Sequence, residues 1–198
     1  MFIILMPIFL HPFFLLFLSL SLNRASSVLQ KNSKLYGPKN VLDYENTSTS
    51  WNSDGLSSVG TRQQQQQQQP ATTFLILEFN RLVHPCELRI QFQAGFVAEK
   101  LHVFLLPAKN DSSSSSGSSS SSCTSADSSR NQWQSMAEFD VDDNHDLQIF
   151  SLLEENQNTR PTTAVKLLFE DCTDFYGRVI IYQLQIWGYE VKDMGLSL

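Results

Sequence analysis

The chain has 198 residues and a formal net charge of −6, from 20 acidic and 14 basic side chains. No cluster of Lys or Arg could neutralise a row of phosphates, so the composition argues against a nucleic-acid partner. The 3 cysteines, Cys86, Cys123 and Cys172, are an odd number and show no disulfide framework.

Residues 1–23 form an apolar head whose length fits a signal peptide or a membrane helix. Against secretion, no Lys or Arg precedes the apolar run, Pro7 and Pro12 interrupt it, and Ser19-x-Ser21 is a poor cleavage site. Three alternatives stay open: a working signal peptide, a membrane anchor, or a non-functional extension that precedes the true start.

Two low-complexity tracts, one rich in glutamine and one rich in serine, interrupt the rest of the chain. They offer no apolar residues to offset the entropy of ordering them, so we predict disordered insertions at about residues 60–71 and 109–132. With the head and tracts set aside, about 135 residues remain, enough for one domain. We place that domain at residues 24–191 and leave residues 192–198 as a tail.

Residues 26–54 are polar and lack a clear period, which predicts irregular structure. Trp51 stands out in this segment. It could pack into the core or stack on a ligand, and core packing is favoured because large aromatic side chains dominate burial.

Alternating apolar and polar residues predict strands along the middle of the chain. The clearest is residues 86–92, which opens at Pro85, where a missing amide does least harm. Its predicted core-facing side chains are Cys86, Leu88, Ile90 and Phe92. The continuous apolar run at residues 101–106 predicts a strand covered on both faces. Further strands are predicted at residues 74–79, 136–141 and 147–152.

Two more predicted strands flank a polar corner near the C-terminal end. Their predicted core rows are Val165, Leu167 and Phe169 in the first strand, and Ile180, Tyr182, Leu184 and Ile186 in the second. In the corner between them, Gly177 can take a positive φ and Asp171 and Asp174 can bond nearby amides. Asp174 and Arg178 allow two interpretations: an internal salt bridge that fixes the corner, or an Arg178 that faces a partner together with Tyr176.

Seven or so short strands with no long helical period predict an all-β, antiparallel β-sandwich. A catalytic site needs a nucleophile, a base and an orienting group in one pocket, and no local motif supplies them. The histidines have no metal-ligand spacing and no Cys-x-x-Cys occurs. We therefore predict a protein that is not an enzyme and that needs no cofactor.

Three motifs in order carry a resemblance to a known family. The first combines SSVL from Ser26, YG from Tyr36, LD from Leu42 and WNSD from Trp51. The second is LEF from Leu77 followed by LRIQFQAGF from Leu88, and the third is FEDCTDFYGRVIIYQLQIWG from Phe169. Together they resemble the discoidin-like family of nuclear receptor 2C2-associated proteins.

The resemblance implies a discoidin-like (galactose-binding-like) sandwich of the jelly-roll type over about residues 24–191. It also implies a non-enzymatic protein-binding module of the nucleus or cytoplasm that represses receptor-dependent transcription. Many secreted discoidin domains tie their two ends with a cystine, and this chain has no cysteine near either domain end. That departure favours a reducing compartment.

Discoidin domains bind with loops at one end of the sandwich, so by analogy the candidate binding residues are Asp54, Phe96 and Tyr176. Gln93 and Gly95 are candidates for the same rim. Some such sandwiches hold calcium, and the possible oxygen donors here are Asp43, Asp54, Asp171 and Asp174. They form no continuous acidic loop, so we expect structural hydrogen bonding and no metal. The alternative function is a secreted or membrane-tethered lectin-like domain that binds carbohydrate or lipid head groups.

Overall fold

The computed structural model describes residues 14–15, 20–43, 46, 48–55, 72–108, 133–153 and 161–191. The two predicted insertions, at residues 60–71 and 109–132, and the tail at residues 192–198 lie outside these ranges. Nine strands are assigned in the described part. In chain order they are β1 (Phe14–Leu15), β2 (Leu20–Ala25), β3 (Trp51–Asn52), β4 (Thr73–Phe92), β5 (Ala98–Pro107), β6 (Gln134–Asp140), β7 (Leu147–Ser151), β8 (Thr162–Cys172) and β9 (Ile180–Glu190).

Short helical turns fill the segment between β2 and β3. They are two 3₁₀ turns, Leu29–Lys31 and Pro38–Leu42, and a single α-helical turn, α1 (Ser33–Tyr36). The Asn32 side chain accepts a hydrogen bond from the Leu35 amide at 3.3 Å and so caps α1. This segment has the irregular character that its polar sequence predicts.

Strand β4 is shared by both halves of the fold. Its first half pairs antiparallel with β8, from Thr73 opposite Phe169 to Glu78 opposite Ala164. Its second half pairs antiparallel with β9, from Val83 opposite Glu190 to Phe92 opposite Ile181. The sequence predicted separate strands at 74–79 and 86–92, which differs from the single 20-residue strand observed. Residues 80–85 stay extended because β4 does not turn there. Instead, it exchanges its partner strand β8 for β9 near Val83.

The strand pairs define two layers that meet at β4. One layer has the order β2, β4, β8, β5, β6, and the other places β4 between β7 and β9, with β1 and β3 pairing the far edge of β9. All of these pairs are antiparallel. The predicted antiparallel β-sandwich is confirmed.

The core lies between the two layers and draws side chains from both. Its largest fully buried members are Trp51, Leu75, Leu77, Leu88, Ile90, Phe92, Leu101, Leu167, Ile181 and Leu184. Phe169 is 2% exposed and its ring lies 6.0 Å from that of Trp51 and 6.2 Å from that of Phe92. These edge-to-face and tilted contacts join the short strand β3 to both layers.

Strand β9 does not keep the single core row that its sequence predicts. Gln91 pairs with Gln183 whereas Phe92 pairs with Ile181, so an extra residue, Tyr182, lies between the two pairs as a bulge. The bulge shifts the core-facing row from Val179 and Ile181 to Leu184 and Ile186. Ile180 is buried outside the main cluster, and Tyr182, expected in the core, is only half-buried.

Strand β5 is also less buried than its apolar sequence predicts. Leu101, Val103 and Leu105 are buried, but the alternate side chains are half-buried. On that outer face the Lys166 ammonium lies 5.7 Å from the centre of the Phe104 ring. Within the described part of the chain, the second face of β5 is therefore covered by neighbouring side chains of its own sheet.

The predicted domain boundary between residues 23 and 24 falls inside β2. The backbone of β2 pairs with β4, from Leu20 opposite Phe79 to Ala25 opposite Leu75. The backbone of β1 pairs with Trp187 and Gly188 of β9. Among the described residues, no helix is both long and apolar enough to cross a bilayer.

Candidate binding surface at the loop end

Four loops converge at one end of the sandwich, here called the loop end: residues 53–55, 93–97, 141–146 and 173–178. Ser53 ties the first loop to the last strand, because its amide donates to the Val179 carbonyl at 2.9 Å and its Oγ accepts from the Val179 amide at 2.8 Å. Thr173 Oγ1 accepts from the Val97 amide at 3.1 Å. Asp143 Oδ1 accepts from the Gly95 amide at 2.6 Å. Hydrogen bonds between the loops therefore hold the loop end together.

Asp174 and Arg178 form the centre of the C-terminal loop. Oδ2 of Asp174 accepts from Nε of Arg178 at 2.9 Å and from the amides of Arg178 and Tyr176 at 3.1 Å each. Oδ1 of Asp174 accepts from Nη2 of Arg178 at 3.2 Å. The guanidinium therefore binds the carboxylate in the two-pronged geometry that favours Arg over Lys.

Positive φ lets the corner close around this ion pair. Gly177 has φ 71° and its amide donates to the Asp174 carbonyl at 2.8 Å. Asp171, which was predicted to bond within the corner, instead lies exposed near the end of β8 with φ 52°, a conformation that Asp tolerates better than most residues. Asp174 alone therefore supplies the carboxylate that closes the corner.

The Asp174–Arg178 pair also changes how both groups titrate. The Arg178 hydrogen bond, followed by backbone bonds and charge attraction, holds the pKa of the Asp174 carboxyl below its ordinary value despite opposing desolvation. The Asp174 hydrogen bond likewise raises the pKa of Arg178. The ion pair therefore stays charged across the physiological range.

This shift predicts a loss of stability in acid. Because the Asp174 pKa is lower in the folded state, its contribution is fully present above the unfolded pKa of about 3.9 and disappears as the pH falls through the lower folded pKa. We expect the free energy of unfolding to fall from about pH 5 downward, and the difference between the parent and Asp174→Asn to shrink in the same interval. Urea denaturation across this pH range tests it; a constant difference would contradict the assignment.

Two of the three residues predicted as a rim, Phe96 and Tyr176, lie over the same guanidinium, and Asp54 lies in the adjacent first loop. The Arg178 guanidinium carbon lies 4.9 Å from the centre of the Phe96 ring and 5.5 Å from that of Tyr176. Asp54 is next to Gly55, where a Cβ atom would stand 2.9 Å from the Tyr176 carbonyl oxygen. The first loop can approach the corner this closely only because residue 55 has no side chain.

Arg178 forms the internal salt bridge of the first interpretation, whereas its contact with a partner stays a prediction. It pairs internally with Asp174, and it also lies under the aromatic rings of the rim. The side chain of Asp174 is 10% exposed and that of Arg178 is 30% exposed. The ion pair is therefore partly buried beneath the surface. The Phe96 and Tyr176 rings lie over it and form the outer part of that surface.

Sequence reasoning missed Phe175, the most exposed of the large apolar side chains on this surface. Its side chain is 93% exposed, against 52% for Tyr176, and the two rings meet edge to face at 5.3 Å. The sequence offered only a weak signal, an aromatic residue between Asp174 and Tyr176 in a polar loop. An apolar residue in that position has no core within reach.

Gln93, the other predicted rim residue, anchors a second group beside the first. Its Oε1 accepts from the Tyr182 hydroxyl at 2.9 Å. The Tyr182 ring lies 5.8 Å from that of His145, whose Nδ1 donates to the Phe92 carbonyl at 3.0 Å. The bulge in β9 thus aims Tyr182 at the loop end, where it helps to fix residues 141–146.

The aspartates considered as calcium ligands do not converge. Within the described ranges, no group of three or more His, Cys, Asp or Glu side chains is placed to hold a metal ion. The Asp54 Oδ1 accepts from the Gly55 amide at 3.2 Å and the Asp174 oxygens are used by the corner. Asp54 and Asp174 therefore make structural hydrogen bonds, whereas Asp171 lies exposed.

No protein-family model matches the chain. Curated proteins do: the chain is 29% identical over 171 residues to nuclear receptor 2C2-associated protein from Homo sapiens, covering 86% of this chain and 94% of that protein. The protein of the same name from Mus musculus is 31% identical over 168 residues, covering 85% and 91%. The one from Danio rerio is 30% identical over 167 residues, covering 84% and 89%.

Solved structures resemble the fold at much lower identity. An F5/8 type C domain from Bacteroides fragilis matches with a TM-score of 0.56 at 11% identity, covering 87% of this chain and 93% of that one. The module CpGH89CBM32-5 from Clostridium perfringens, in complex with GalNAc-β-1,3-galactose, matches with a TM-score of 0.57 at 13% identity, covering 87% and 99%. The family 32 CBM from C. perfringens NanJ, in complex with galactose, has a TM-score of 0.55 at 11% identity, covering 86% and 95%. These likenesses confirm the discoidin-like, galactose-binding-like fold and carry no function.

Proposed function

The chain belongs to the nuclear receptor 2C2-associated protein family, and on that premise we propose that it is a non-enzymatic module that binds a nuclear receptor directly. Through this contact it would repress receptor-dependent transcription, in the nucleus or the cytoplasm. The family name supports a receptor-associated role, and the relatives and structural neighbours are named as an associated protein and as binding modules.

One observation carries the assignment of the loop end as the contact surface. Phe175 and Tyr176 are exposed aromatic side chains on a loop that Asp174 and Arg178 hold in one conformation. Aromatic residues dominate the binding energy of protein interfaces, and a fixed loop loses little entropy when it binds. The loop end therefore offers what a protein partner needs: a preorganised apolar anchor.

We expect Tyr176→Ala to weaken binding to purified nuclear receptor 2C2 by about fivefold or more, because truncating an aromatic anchor of an interface costs over about 1 kcal/mol. The measurement is the Kd by surface plasmon resonance. Leu153→Ala is the matched control, since Leu153 is 53% exposed and follows β7 at the opposite end from the loops. Equal affinities for the parent and Tyr176→Ala would remove the loop end from the interface.

A lectin-like function is the second candidate, in the form of a secreted or membrane-tethered domain. Phe175 favours it, because a ring that is 93% exposed could stack on a sugar face beside the polar groups of Asp174 and Arg178. Two structural neighbours are in complex with galactose-containing sugars. Calorimetric titration with galactose and with GalNAc-β-1,3-galactose tests it: saturable binding that Phe175→Ala abolishes, without binding to the receptor, would replace the first proposal.

A further inference from the structure

Within the part of the chain that the structure describes, Phe175 differs from Phe96 and Tyr176 in having no cation over its ring faces. Phe96 and Tyr176 present their faces to the Arg178 guanidinium, whereas Phe175 meets only Tyr176, edge to face. Its exposed fraction is the largest among the exposed large apolar side chains in the described part of the chain. A ring held this far into water, on a loop fixed by the four Asp174 hydrogen bonds, is suited to insertion into a partner.

The loop end that carries this ring has a strongly negative formal charge. The four loops of the loop end contain five aspartates (Asp54, Asp142, Asp143, Asp146 and Asp174) and one basic residue, Arg178, so their formal charge is −5 + 1 = −4. The whole chain carries −6. Most of the net charge of the protein is therefore concentrated at the end that presents Phe175.

Arg178, the one basic residue of these four loops, does not neutralise the negative charge that a partner would meet. Arg178 is bound by Asp174 and covered by two rings, so the pair is neutral and supports the surface from within. The remaining four carboxylates have no salt bridge within the described part of the chain. Asp54 and Asp143 accept only backbone amides, which leaves their charge in place.

Resting on the proposed function, we infer that the receptor surface bound at the loop end is basic: a lysine- and arginine-rich protein segment that receives the Phe175 ring. Opposite charge steers such a segment to the loop end and repels anionic partners such as nucleic acid or acidic peptides. The exposed ring faces add cation–π contacts to arginine or lysine, besides apolar burial. The two features act on the same partner because they occur on the same rigid end.

The test measures Kd and association rate for purified nuclear receptor 2C2 and the full chain, at ionic strengths of about 0.05 and about 0.5 M. We expect the affinity of the parent to fall by about tenfold or more at the higher ionic strength. Asp142→Asn and Asp146→Asn should each slow association at low ionic strength and have little effect at high ionic strength. Phe175→Ala should weaken binding at both, since its contribution is not electrostatic.

Glu78→Gln is the matched control, because it also removes one negative charge from an exposed position. Glu78 lies in β4 opposite Ala164, near the start of β8 and so at the end of the sandwich away from the loop end. Thermal unfolding verifies that each variant is folded. If the receptor binds but neither salt nor the two aspartate substitutions changes the affinity, the basic segment is wrong while the proposed function stands. Tighter binding by Asp142→Asn or Asp146→Asn would mean an acidic partner surface and also overturn the inference. If the parent does not bind the receptor at all, the proposed function fails first.

Discussion

Trp51→Ala is expected to lower the free energy of unfolding by about 3–5 kcal/mol, the usual cost of truncating a buried aromatic side chain. Trp51 is fully buried, its ring contacts Phe169, and its Nε1 donates to the Ser27 carbonyl at 3.1 Å. The substitution leaves a cavity between the layers. It also leaves the Ser27 carbonyl without its indole donor, so the N-terminal segment loses its bond to β3. Burial also excludes the ligand-stacking interpretation of this residue.

Urea denaturation measures the effect, with Trp51→Phe as the control. Phenylalanine keeps part of the buried ring and loses only the indole hydrogen bond and some volume, so we expect it to cost less than half as much. Parent-like stability for Trp51→Ala would mean that the ring does not belong to the core.

The second large effect is expected at Asp174, whose loss should cost more than the loss of its partner. Asp174→Ala removes the acceptor of two backbone amides and two guanidinium N–H groups at once, and we expect a cost of about 3 kcal/mol. Arg178→Ala leaves Asp174 with its two backbone donors, and Arg178 is partly exposed, so about 2 kcal/mol is expected. Tyr176→Ala should cost under about 1 kcal/mol because its ring is half in water.

Chemical denaturation of the three variants and of the Asp174→Ala, Arg178→Ala double variant tests this order. The coupling energy from the cycle isolates the ion pair from the backbone bonds. If Arg178→Ala unfolds like the parent yet no longer binds the receptor, Arg178 contributes to the binding surface and not to the corner.

The parts of the fold that the sequence predicts well are those governed by one strand and one core face. Leu88, Ile90 and Phe92 are buried in alternation because a strand that touches the core on one side has a period of two. The Asp174–Arg178 pair could be anticipated for a similar reason, since opposite charges four residues apart in a short loop have few other partners.

The parts that escape prediction depend on a second strand. The bulge at Tyr182 is defined by how β9 aligns with β4, and the periodicity of β9 alone carries no record of that alignment. The continuity of β4 likewise follows from its exchange of β8 for β9 near Val83. Phe175 was missed because the direction of a loop side chain is set by the bonds of its neighbours, here those of Asp174.

Strand β4 imposes a delay on the protein while it is being made. β8 begins at Thr162, about 70 residues after β4 ends at Phe92, so at roughly 5–20 residues per second a nascent chain waits on the order of 4–14 s before this pairing can start. During that time β4, a 20-residue strand with a largely apolar face, lacks β8 and β9, two of the four strands that pair with it. Most of the intervening chain is the serine tract and the edge strands β6 and β7. Each residue added to that tract lengthens the wait. A longer tract therefore increases the demand for chaperones and lowers the yield of folded protein, without changing the stability of the finished fold.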